Sequence, residues 1–269
     1  MSRGAAPLLA VDEPLVRWDW VRDHTDDFVD LFWEHVSLTV AAVGIGFAIS
    51  MVLALVAVRW RWTYEPLAGF CGVLYAIPSL ALFGVLITIP AFGLGFRSAL
   101  VALVSYTLLI LLRNIVAGLD GVAPEVREAA DGMGYEPWRR VLRVDLPLAT
   151  PAIVAGLRIA TVTTVGLVTV TALIGEGGFG DLINDGLSRD FPTPIVVGAV
   201  LSVALAVAFD VLFVVVERLL TPWARAGGRR RGDRGAADAL ADARARTAHD
   251  QKWIGLGRAS AGAGTGVLR

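Results

Sequence analysis

Asp210 is the one carboxylate standing well inside a long apolar run of this chain. A carboxylate so placed is either functional or paired. Arg158 and Arg113, in and near the end of two other apolar runs, are candidate partners, and an intramembrane ion pair Asp210–Arg158 is expected. Thr161, Thr163, Thr164, Thr169 and Thr171 share the run of Arg158 with Gly156 and Gly166. Of these, Thr161, Thr164 and Thr171 fall near one helical face. They would either line a weakly polar translocation pathway or, as hydroxyls among small residues commonly do, pack one membrane helix on another; packing is the favoured role. Other reactive types exclude function classes. His24, His35 and His249 are expected to lie outside the bundle core, so no His/Asp/Glu constellation for a membrane-embedded enzyme is expected. The sole cysteine, Cys71, reads as a small buried residue, which leaves no disulfide framework, and no metal site is expected. Lys252 is the only lysine and no GxxxxGK precedes a helix, so a phosphate-cradling loop is missing and nucleotide hydrolysis is not expected of this chain.

These residues are positioned by lipid-crossing elements. Of 269 residues, 55% are hydrophobic and 18% charged, with mean hydropathy +0.64, more apolar than a soluble core of this size requires. A hydrocarbon layer of about 30 Å needs roughly 20 apolar residues as helix. Five stretches qualify: about Leu31 to Val58, Pro66 to Leu94, Ser98 to Leu119, Pro151 to Ile174 and Ile195 to Val216. The second, interrupted by Pro78 and Pro90, is expected to kink or to carry a re-entrant end. The expected fold class is therefore all-α, an integral membrane protein of about five spans.

Charge sets the orientation. Arginines follow the first span (Arg59, Arg61), the third (Arg127, Arg139, Arg140, Arg143) and the fifth (Arg218, Arg225, Arg229, Arg230, Arg231). The alternate segments are neutral or acidic, with Glu176, Asp181, Asp185 and Asp190 between spans four and five. The N-terminus is then outside and the C-terminus cytoplasmic. Residues 1–30 read as an extracytoplasmic segment without a cleavable signal, and 31–220 as the membrane domain. Residues 221–269, rich in Ala, Gly and Arg, read as a disordered basic tail. Most of the eight tryptophans fall near expected interfaces, where they anchor.

The stretch from Gly121 to Pro151 is too polar to span. Pro124 suits a first helical turn, and Glu125 and Glu128 lie where the helix dipole favours negative charge. Val122, Val126, Ala129, Ala130 and Met133 recur at helical spacing. Gly132 and Gly134 should end that helix, Pro137 begin a second, and Pro147 stop it: two short helices and a turn on the cytoplasmic surface.

In this loop the chain resembles the permeases of binding-protein-dependent ABC importers, the MetI-like superfamily. Their signature is Glu-Ala-Ala, three residues, Gly, nine residues, then Ile-x-Leu-Pro. It reads here as Glu128-Ala129-Ala130, Gly134 and Val144-Asp145-Leu146-Pro147, with Val144 for Ile as the one departure. The resemblance implies that Glu128, Ala129, Ala130, Gly134, Val144, Leu146 and Pro147 belong to a coupling helix seated in a groove of a cytoplasmic ATPase. It also implies a second permease subunit, identical or homologous, an extracytoplasmic substrate-binding protein, and residence in the cell membrane. No cofactor is expected on this chain, since ATP and Mg belong to the ATPase, and no nucleic acid is a partner. Over residues 30–223 the likeness extends to permeases for osmoprotectants: glycine betaine, carnitine, choline and proline betaine. It rests there on HVSLTV from His35, AIPSLALFGVLI from Ala76, and the glycine-rich turn Gly175 to Gly180. Methionine-type permeases share the fold and loop but usually not that turn. An ion-coupled secondary transporter would need midplane carboxylates and paired repeats, for which Asp210 alone is thin support.

Overall fold

Hydrocarbon satisfies no backbone group, so a chain this apolar crosses it as helices whose hydrogen bonds close internally. The computed structural model describes residues 15–222, and these are helical throughout, with no strand among the described residues. Expectations for the basic tail, for residues 1–14 and for Trp223 and Trp253 lie outside the described residues.

Four helices are long and apolar enough to cross a membrane. They are α2 (Thr25–Arg59), α5 (Phe96–Asp120), α8 (Leu146–Thr171) and α10 (Pro192–Leu220). The expected second span is a pair, α3 (Tyr64–Ala76) and α4 (Ser79–Thr88), bent by 91°. The bend has a local cause: Ile77, which precedes Pro78, is extended (φ −65°, ψ 127°), as the proline ring demands. Tyr106 on α5 donates its hydroxyl to the Ile77 carbonyl at 2.6 Å, supplying a partner where the ladder breaks. A short α1 (Trp18–Asp23) precedes α2. It is held where Trp20 stacks on His24 (4.3 Å) and meets Phe191 edge-on (5.7 Å), while Arg17 N–H donates to Thr193 Oγ1.

Helix α5 lies at the centre, with Ala99, Ala102, Leu103, Leu111, Leu112 and Ile115 fully buried against α2 and α8. Glycines set how close the helices come. A Cβ on Gly46 of α2 would stand 1.9 Å from Thr107 Oγ1, and one on Gly156 of α8 would stand 2.5 Å from Asn114 Cβ. Small residues serve in this way because lipid provides no hydrophobic drive between helices and close backbone approach must supply contact. Trp33 stands exposed at one end of α2 and Trp60 just past the other, as interfacial anchors should.

Span four begins differently from its expectation. Pro147 does not stop the second loop helix, and the span does not start at Pro151. Helix α7 (Pro137–Arg140) runs through a π-type turn, Val141–Asp145, directly into α8, where Pro147 sits in the first turn and Pro151 lies inside. Leu146 N–H bonds back five residues to Val141 O. That register change puts Pro147 where a missing donor costs least.

The Gly46 contact yields a prediction. Thr107 Oγ1 is held by its bond to Val104 O at 2.7 Å, so Gly46→Ala must push α2 from α5. It should lower stability by about 1–3 kcal/mol. Gly44→Ala, two residues away with nothing within 4 Å, should leave thermal melting in detergent unchanged or slightly raised. Equal melting of both variants would contradict the packing.

Candidate functional site

The loop is built from its ends inward. Helix α6 (Pro124–Gly132) starts with Pro124 in its first turn and Glu125 near the dipole's positive end. It stops at Gly134, whose φ of +81° is left-handed; Gly134 N–H bonds to Asp131 O, and Tyr135 N–H to Ala130 O. Those two bonds make a Schellman closure, which favours glycine at this point.

Charges then fold α6 onto α7. Arg140 Nη1 donates to both carboxylate oxygens of Asp131 at 2.7 and 2.6 Å. Asp145 is buried to 2% exposure, with Arg127 Nε at 3.5 Å and Arg140 Nε at 3.6 Å. Arg127 also donates to the carbonyl of Leu119, the penultimate residue of α5. One carboxylate therefore draws together α6, α7 and the start of α8. Asp145 is the x of the Val144-x-Leu146-Pro147 segment, and sequence reasoning gave it no role. Its signal was present: an acid among Arg139, Arg140 and Arg143 in a mainly apolar stretch.

Asp145 is turned inward with its arginines, while the outer surface mixes small and apolar groups with the exposed charges Glu125, Glu128, Asp131, Glu136, Arg139 and Arg143. Ala130 is buried, whereas Glu128, Ala129 and Gly134 are exposed, as are Val126, Met133 (70%) and Trp138. Val144, Leu146 and Pro147 are half-buried at the base, joining the loop to α8. The expected apolar face is thus split: Val122 and Ala130 face the bundle, and Val126, Ala129 and Met133 face away. The arrangement is a knob whose turn carries small and apolar groups, Ala129, Gly132, Met133 and Gly134, with the acids Glu125, Glu128, Asp131 and Glu136 exposed around it.

At the opposite, acidic end a second constellation fixes the glycine-rich turn. His35 is fully buried, which corrects its placement outside the bundle core. Its Nε2 donates to Val165 O at 3.1 Å and its Nδ1 accepts from Phe179 N–H at 3.3 Å, an arrangement that puts the ring proton on Nε2. Glu34 Oε1 accepts from Gly178 N–H at 2.9 Å. Gly175 and Gly178 have φ of +84° and +50°, and a Cβ on Gly178 would lie 2.6 Å from His35 Cβ. Nearby, Asp181 on α9 (Phe179–Ser188) has its carboxyl pushed up to about 6, by burial first and by the Glu34 charge second.

The three threonines are buried and bond to their own helix: Thr161 to Leu157 O, Thr164 to Ala160 O, Thr171 to Val168 O. That placement supports packing. Only Thr161 of the three lines a described cavity, about 220 Å³, with Thr39, Phe47, Phe209 and Phe213. Arg158 and Asp210 do meet, Nε to Oδ1 at 2.8 Å and Nη2 to Oδ2 at 3.0 Å. No cluster of His, Cys, Asp or Glu among the described residues could hold a metal ion.

Comparison with known proteins follows from this geometry. The model of the family described as binding-protein-dependent transport system inner membrane component matches residues 42–222. The chain is 34% identical to the osmoprotectant import permease protein OsmW of Salmonella typhimurium, over 76% of this chain and 96% of the relative. It is 35% identical to the glycine betaine/carnitine/choline transport system permease protein OpuCB of Bacillus subtilis, over 70% and 86%. Among solved structures, an inward-facing conformation of the MetNI methionine ABC transporter matches with TM-score 0.65 at 22% identity, over 72% of this chain and 96% of that one. That likeness shows a shared fold.

Asp145→Ala should leave Arg127 and Arg140 without their shared counter-charge, at a cost of about 3 kcal/mol. Amide exchange across residues 124–145 should then quicken on the order of a hundredfold, with α5 unchanged. Unaltered exchange would show that the carboxylate does not clamp the loop.

Proposed function

We infer that this chain, which belongs to the family of binding-protein-dependent transport system inner membrane components, is the permease subunit of an ATP-driven importer for small osmoprotectants. Glycine betaine, carnitine and choline are the substrate type, supported by the full-length likeness to OsmW and OpuCB. It is a multi-pass protein of the cell membrane. The observation that carries the reading is the loop of residues 121–151, charge-clamped beneath and small and apolar at its tip.

Such a knob does mechanical work only if something grips it. In this reading Glu128, Ala129 and Gly134 form the part seated in a groove of a separate ATPase subunit, which holds ATP and Mg, while Ala130, buried on the bundle side, seats the helix beneath them. Ala129 permits close approach, Glu128 meets a basic or amide group, and Gly134 makes the turn that exposes both. Val144, Leu146 and Pro147 pass the movement to α8, since α7 continues into it without a hinge. The arginine bias puts this loop in the cytoplasm with the N-terminus outside. At the outer end, the glycine turn locked by Glu34 and His35 offers a rigid rim for an extracytoplasmic binding protein. A second permease subunit completes the path, with substrate crossing between the two. The threonine face, Thr161, Thr164 and Thr171, contributes to that path through helix packing.

Gly134→Asp tests the coupling role. It sets a carboxylate and a Cβ at φ +81° on the tip, while nothing lies within 4 Å to disturb the bundle. Uptake of radiolabelled glycine betaine should vanish while the chain stays in the membrane at wild-type amount. Wild-type uptake in this variant would defeat the assignment.

A further inference from the structure

Between the last turn of α2 and α7 the protein leaves an open cavity of about 330 Å³. Leu55 and Val58 of α2, with Pro137 and Val141 of the loop, form its apolar walls. Arg59, Trp138 and Arg140 also border it, and no carboxylate among the described residues lines it. Its level in the membrane follows from α2. Arg59 is the last residue of that span, and Leu55 lies roughly 6 Å deeper at 1.5 Å per residue. One end of the cavity therefore belongs with headgroups and the other with acyl chains. Trp60 and Trp138, 50% and 59% exposed, mark the same boundary.

Most cations around this space already have counter-charges. Arg140 is taken by Asp131 and Asp145, Arg139 by Glu136, and Arg61 by Asp120. Arg59 is different. Among the described residues it has no carboxylate partner, and its guanidinium lies over the Trp60 ring, 5.7 Å from the centroid. A cation–π contact holds the group but leaves its charge uncompensated and its N–H fork open. Such a fork matches the oxygens of a phosphate. The ligand that fits is a phosphate at the interface joined to an apolar chain that reaches inward. A headgroup ammonium would meet no acid in the cavity, so an anionic phospholipid fits better than a zwitterionic one.

We propose that this cavity is a binding site for one anionic phospholipid of the phosphatidylglycerol type. Its phosphate meets Arg59, and part of an acyl chain lies against Leu55, Val58 and Val141. Trp138, whose indole N–H donates to Glu136 Oε2 at 2.8 Å, stands beside the glycerol. The lipid fills the gap between α2 and α7. It thereby braces the loop against the one central span to which the Asp145 cluster does not tie it. None of Glu128, Ala129 and Gly134 lines the cavity, so the surface assigned to the ATPase stays open. The site depends on α2 spanning the membrane, not on which solute crosses.

Fluorescence of Trp138 tests the site. The full chain is placed in phosphatidylcholine nanodiscs, and phosphatidylglycerol with brominated acyl chains, a short-range quencher, is added at stepwise mole fractions. The Trp138 signal is the difference between wild type and Trp138→Phe. Half-quenching should need on the order of fivefold less brominated phosphatidylglycerol than brominated phosphatidylcholine, the worth of one cation at an anionic surface. Arg59→Gln should remove that preference, while quenching by brominated phosphatidylcholine stays as in wild type, the mark of an intact fold. Arg143→Gln, which removes an exposed cation outside the cavity, should keep the preference. Equal quenching by both lipids in wild type overturns the site, as does a preference that survives Arg59→Gln or is lost equally in Arg143→Gln. Inorganic phosphate should leave the quenching unchanged; relief of quenching would assign the cavity to a free anion and overturn the lipid. No uptake is measured, so the importer reading stands or falls separately.

Discussion

Asp145 sits at the turn where a surface loop becomes a membrane helix, with Arg127 on one side and Arg140 on the other. Its burial is what decides the loop's character. A carboxylate removed from water must keep its counter-charges, and both come from separate short helices, so neither helix can drift without exposing an unpaired charge. Arg140 extends the arrangement to Asp131, and Arg127 extends it to the end of α5. A loop that would otherwise be two frayed helical turns thus becomes a rigid extension of α5 and α8. Stiffness is the property a coupling element needs, because displacement at its tip must reach the spans undiminished.

The bilayer imposes the same rule on the rest of the chain: a polar group in a span is bonded within the protein, or it faces something other than lipid. Tyr106 serves the carbonyl at the Pro78 break, His35 joins α2 to α8 and to the glycine turn, and the threonine hydroxyls return to their own helix. Arg158 on α8 and Asp210 on α10 satisfy each other as an ion pair. Packing between helices depends on Gly46, Gly118 and Gly156 at the crossings, where α2, α5 and α8 meet at distances that admit no Cβ.

Much of this was legible in the sequence. The spans follow from apolar length, the loop from its fixed spacing, and the Arg158–Asp210 pair from two charges in runs that tolerate none unpaired. Three features were not. Pro147 read as a helix stop because sequence rules place proline outside helices. Its position in the first turn of α8 depends on the π-type turn at Val141–Asp145, which leaves no compositional mark. His35 read as peripheral because linear position near a span end says nothing of what folds over it, and the glycine turn 144 residues later buries it. Asp145 was masked by motif reading, which treats a variable position as unconstrained even when Arg139, Arg140 and Arg143 precede it within two turns. Each miss has one origin: long-range partners decide burial, and periodicity sees only neighbours.

The account stands or falls on what the tip of the loop touches. A photo-crosslinking side chain placed at exposed Ala129, in the assembled importer, should give an adduct with the ATPase subunit. The same group at exposed Leu187, at the opposite end of the bundle, should give none. Capture of the ATPase from position 187 but not from 129 would reverse the orientation and remove the loop from the coupling path.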